Sequence, residues 1–84
     1  MKYLVAELTV KAVKAWYENR QICIMLEDER EIRFPVQKNN ILRNATVEEI
    51  SNIEIISGGT GLHWPLLDED LSVMGVLEGR FGVL

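Results

Sequence analysis

From Ala12 onward the apolar positions recur at every second residue. Val13, Ala15 and Tyr17 fall on one face and Ala12, Lys14 and Trp16 on the other, which predicts a strand running into the turn-prone Glu18-Asn19-Arg20. Ile22, Ile24 and Leu26 then alternate with Gln21, Cys23 and Met25, and the polar run Glu27-Asp28-Glu29-Arg30 predicts a second turn. In the third strand Ile32, Phe34 and Val36 point inward while Glu31 and Arg33 face water. Three strands joined by short connections predict an antiparallel meander. Pro35 lacks a backbone N-H, so the end of the third strand is expected at a sheet edge or with its nitrogen turned away from a neighbour. Ahead of this meander, Leu4, Val5, Leu8 and Val10 fit either a strand or a short helix; residues 1–10 are read as an extended arm.

Beyond Lys38-Asn39-Asn40 the pattern changes. Thr46 is placed to cap a short helix ending near Asn52, with Glu49 three residues on to complete a capping box and Glu48-Glu49 at the positive end of the helix dipole. Ile53, Ile55 and Ile56 predict another strand, which enters a loop rich in glycine, and Leu62 to Trp64 predict a brief strand ending at Pro65. Ser72 is expected to cap a second helix, with Leu71 and Val76 as its hydrophobic staple and Gly79 as its terminator. The fold class expected is α+β: an antiparallel β-meander with additional short strands and two short helices.

The chain has 84 residues, enough for one core, and is expected to form a single domain over residues 1–84. Its 48% hydrophobic and 26% charged residues are the balance of a folded protein rather than a disordered one. Cys23 is the only cysteine, which excludes an intramolecular disulfide and fits a reducing compartment. Met1 to Ala6 is followed at once by Glu7, too short an apolar stretch for a signal peptide or a membrane span, so a cytoplasmic protein without membrane association is expected. The formal charge of -4 is unevenly spread: Glu54, Asp68, Glu69, Asp70 and Glu78 face only Arg80 over the last third of the chain. That balance argues against direct nucleic acid binding, which draws its affinity from cations on phosphates, and favours a basic protein partner.

Special chemistry, if present, is expected between Gly58 and Gly79, where the only histidine and an acidic cluster lie together. A phosphate cradle at Gly59-Thr60-Gly61 would need a further glycine at the position of Trp64 and a helix where Pro65 stands, so Gly58, Gly59, Gly61 and Pro65 are read as structural turn residues. An EF-hand starting at Asp68 is excluded, because Val73 takes the glycine position and Gly79 that of the bidentate glutamate. His63, Asp68 and Asp70 define an alternative ligand or metal site, although one histidine falls short of the usual zinc set. More simply, Asp68 or Asp70 caps the turn after Pro65, and the His63 ring bonds a neighbouring carboxylate or carbonyl. His63 with Cys23 or Ser72 is an incomplete nucleophile and base pair, so no enzyme activity and no cofactor are expected. Trp64 is expected in the core, with Trp16 less deeply placed beside Lys14, and the apolar tail of Leu77, Phe81, Val83 and Leu84 is expected either to pack on the sheet or to pair with a second chain as a homodimer.

Asn44-Ala45-Thr46, and the longer run from Gly61-Leu62-His63-Trp64-Pro65 through Asp70-Leu71-Ser72-Val73, resemble the bacterial family catalogued as domain of unknown function 2442. The likeness extends to Leu26-Glu27-Asp28, Ile32-Arg33-Phe34-Pro35 and Gly75 to Gly82, covering about residues 12 to 82. Glu29 departs from it where a glycine often follows the aspartate, which predicts a turn wider than a two-residue Asp-Gly one, and Val47 replaces a helix-opening proline. The resemblance implies a small prokaryotic α+β domain with no assigned reaction, some of whose relatives are fused to a DNA-binding helix-turn-helix domain and others of which look like half of a toxin-antitoxin pair. With the acidic C-terminal part, it leads to the expectation of a non-catalytic interaction or regulatory module, antitoxin-like, for a small basic toxin-like partner. The contact residues expected are Thr60, His63, Trp64, Asp68 and Asp70.

Overall fold

The computed structural model describes residues 10–82. The proposed N-terminal arm, apart from Val10, and the tail residues Val83 and Leu84 lie outside the described residues. Two antiparallel three-stranded sheets make up the domain. The first holds β1 (Ala12–Glu18), β2 (Gln21–Leu26) and β3 (Glu31–Pro35) in the order β1-β2-β3, the expected meander. β4 (Glu54–Ile56), β5 (Gly61–Trp64) and β6 (Glu69–Ser72) form the second, in the order β4-β5-β6. Between the sheets run the one-turn 3-10 helices Val36–Lys38 and Leu42–Asn44 and the α-helix α1 (Val47–Ser51); α2 (Val73–Leu77) follows β6 directly. Among the described residues no helix is long and apolar enough to cross a membrane.

Turn chemistry sets the register of the meander. Asn19 and Arg20 both adopt positive φ, 52° and 61°, between the paired residues Glu18 and Gln21, so the first connection is a two-residue turn of the primed type that matches strand twist. The second is longer, as its lack of glycine predicts: the Glu29 N-H donates to the Leu26 carbonyl at 2.9 Å, and Glu29 takes φ 75°. A left-handed backbone disfavours any side chain with a Cβ by about 1–2 kcal/mol per residue. Part of that is offset by the larger entropy that glycine loses on folding. Glu29→Gly is therefore expected to stabilise the protein by about 0.5–1 kcal/mol, read as a higher urea midpoint with an unchanged slope.

β1 departs from simple alternation. Ala12 pairs with Leu26 and Lys14 with Met25, leaving Val13 as the extra residue of a β-bulge. The bulge turns Ala12 into the core and leaves Val13 59% exposed, the reverse of the faces that period two predicts for these two positions. β3 ends the sheet at an edge, which accommodates Pro35, and Val36 is buried from the following 3-10 turn rather than from the strand.

The core lies between the sheets. Ile22, Ile24 and Leu26 from β2 and Phe34 from β3 meet Leu62 and Trp64 from β5, Leu71 from β6, Ile50 from α1, and Val73 and Val76 from α2. Both helices start as expected. The Thr46 hydroxyl accepts from the Glu49 N-H at 3.1 Å while the Glu49 carboxylate accepts from the Thr46 N-H at 2.9 Å, and the Ser72 hydroxyl accepts from the Gly75 N-H at 2.7 Å. α2 ends in a Schellman motif: Gly79, at φ 85°, donates to the Val76 carbonyl and Arg80 to that of Gly75, satisfying two carbonyls the helix leaves unpaired. The chain then returns across the molecule, and Phe81 stacks on Phe34 with ring centroids 5.0 Å apart. Of the tail, Phe81 thus packs on the first sheet, whereas Leu77 is 40% exposed.

Candidate functional site

The segment from Ser57 to Ser72 folds as a left-handed turn followed by the β5-β6 hairpin. Ser57, Gly58 and Gly59 have φ of 56°, 66° and 104° in succession, and Thr60 closes the turn, its amide and its hydroxyl both donating to the Ser57 carbonyl. A side chain at Gly59 would be strained by that φ, and its Cβ would come within 3.0 Å of the Ala12 carbonyl oxygen and of Lys11 Cβ, so the loop lies against the start of β1. Gly61 opens β5, where a Cβ would sit 3.0 Å from Ile56. These positions build the turn.

The acidic stretch was expected as a capped turn and is instead a strand. Glu69 to Ser72 form β6, with Trp64 opposite Glu69, Leu62 opposite Leu71 and His63 opposite Asp70. Only Leu71 is apolar among its four residues, so no hydrophobic period marks the strand. Pro65, Leu66, Leu67 and Asp68 make the connection, with the Leu67 N-H donating to the Trp64 carbonyl at 3.1 Å. Asp68 contributes a left-handed backbone at φ 53°, and Asp70 is a strand residue, so neither caps the turn in the way proposed.

β5 separates the expected contact residues by face. Trp64 points inward with no exposed surface, its indole N-H donating to the Ile50 carbonyl at 3.0 Å, so it supports the hairpin from the core and offers no contact to a partner. His63 points outward between Glu54 of β4 and Asp70 of β6, its cross-strand neighbours on either side. The His63 Nδ1 is hydrogen-bonded to the Asp70 carboxylate, the simple role expected of the ring. Asp70 is 68% exposed at its side chain and His63 27%. The Asp70 hydrogen bond, the charge of Asp70, and those of Glu54 and Asp68 raise the His63 pKa above its ordinary value, with desolvation opposing them. Glu54 enters the site only through register, and strand pairing alone would have placed it there.

A group whose folded pKa lies above its unfolded value stabilises the fold fully below the unfolded value, about 6.5 for histidine, and that contribution is lost as pH rises through the folded value. Thermal melts across that window are therefore expected to show stability falling as pH rises above about 6.5. His63→Gln and Asp70→Asn should both flatten this slope; a wild-type slope retained in both variants would remove the pair as its source.

The remaining chemical candidates are engaged elsewhere. Cys23 lies on the outward face of the first sheet, between Trp16 and Arg33 in register, yet has no exposed surface, and burial pushes its thiol pKa up, away from the reactive thiolate. Trp16 is half-buried on that face, its N-H donating to Glu18 at 2.8 Å and the Lys14 ammonium 5.1 Å from its ring. The Ser72 hydroxyl is the cap of α2. Among the described residues no three His, Cys, Asp or Glu side chains converge to hold a metal ion.

Asn39 is the polar residue that sequence reading passed over. It is wholly buried, its Oδ1 accepting from the amides of Ile41 and Leu42 at 2.8 Å each, while its Nδ2 donates to Glu69 at 2.8 Å and to the Phe81 carbonyl at 2.6 Å. The one local signal was an asparagine two and three residues ahead of Ile41 and Leu42, at the entry to a helical turn, a spacing suited to capping by its side chain.

Comparisons with known proteins agree with this geometry in fold and leave the chemistry open. A crystal structure of a protein of unknown function from Rhodospirillum rubrum ATCC 11170 superposes with a TM-score of 0.83 at 34% identity, over 89% of this chain and 93% of that one. The solution NMR structure of the uncharacterized protein CV0863 from Chromobacterium violaceum gives a TM-score of 0.79 at 31% identity, over 98% of this chain and 76% of that one. No curated protein matches the sequence. The sequence profile of a protein family of unknown function matches residues 12–82, and the chain belongs to that family, DUF2442.

Proposed function

We propose that this protein is a non-catalytic interaction module of the bacterial cytoplasm, the regulatory or neutralising member of a two-protein system of the toxin-antitoxin kind. One observation carries this reading: Glu54, His63 and Asp70 stand side by side on the outward face of the second sheet, with Asp68 at the adjoining turn. This is an acidic face on a strand whose other face is anchored in the core through Leu62 and Trp64. Rigid presentation of like charges favours a partner segment rich in lysine or arginine, because complementary potentials raise the rate of encounter and suppress wrong partners. The ion pair within the row is surface-exposed and adds little to folding stability, and the Asp70 carboxylate stays 68% exposed at its side chain beside its bond to His63.

Native mass spectrometry of the tagged protein, purified gently from its own host, tests the reading. A stoichiometric basic polypeptide is expected; the bare chain or a homodimer alone would count against it. In such a complex the double variant Asp68→Lys with Asp70→Lys should weaken binding by roughly tenfold or more, since it sets like charges against the partner. Unchanged affinity would move the contact surface off this hairpin.

A further inference from the structure

We draw no further inference here: the strongest candidate, the row of Glu54, His63 and Asp70 on the outward face of the second sheet, belongs to the surface already proposed for docking, and its one hydrogen bond lies within the row and points to no ligand of its own.

Discussion

Trp64→Ala is expected to remove a large share of the protein's stability and to move its urea midpoint far below that of wild type. The indole is the largest fully buried side chain, at 0% exposure, and sits where β5 meets α1. Removing a buried tryptophan costs about 3–5 kcal/mol through lost transfer energy and the cavity left behind. A domain of this length has a total stability of about 4–12 kcal/mol, so the loss is a large share of the whole. Trp64→Phe separates the two contributions within the site. It keeps much of the apolar volume but leaves the Ile50 carbonyl without its indole donor, for an expected loss of about 1–3 kcal/mol. Urea titrations of the three proteins measure both steps, and a Trp64→Ala midpoint within error of wild type would show that the hairpin is not anchored through this ring.

The second large effect is expected at Asn39. Its amide joins three segments distant in sequence: the turn entered at Ile41, Glu69 on β6, and the carbonyl of Phe81 after α2. Asn39→Ala strips buried partners of their hydrogen bonds and should lower stability by about 2–3 kcal/mol. Asn39→Asp is nearly the same shape but turns a donor into an acceptor facing the Glu69 carboxylate and the Phe81 carbonyl. Leaving an uncompensated buried charge costs about 3–5 kcal/mol. The variant adds a carboxylate whose charged form the folded site disfavours, so its folded pKa lies above its unfolded one. Stability is therefore retained at low pH and lost as pH rises through that raised value. Chemical denaturation of wild type and Asn39→Asp at acidic and neutral pH checks the sign; a defect that is the same at both would show that the buried charge is not its source.

The two positions illustrate how differently a sequence exposes its own structure. Trp64 is legible as a core residue because a bulky aromatic in a short apolar stretch has few other stable placements. Asn39 is less so: its oxygen caps the nearby turn, but the partners of its amide nitrogen lie 30 and 42 residues away and nothing adjacent to it encodes them. The same division runs through the hairpins. Asn19-Arg20 and Glu27 to Arg30 read directly as turns, whereas the bulge at Val13 is visible only once Ala12 is seen opposite Leu26. A single inserted residue inverts the faces before it, and period two alone cannot place the insertion.

What the chain determined by itself is local: the three strands of the meander, the caps at Thr46 and Ser72, and the stop at Gly79. Each depends on residues a few positions apart, where side-chain spacing matches a turn of helix or the pleat of a strand. Only the tertiary structure decided that the acidic stretch is the edge strand β6, that Glu54 stands beside His63, and that Asn39 ties the loop and the returning C-terminal segment to the second sheet. These placements follow from register and from long-range satisfaction of buried polar groups, which are set when the two sheets close over one core and leave no periodic trace in the sequence.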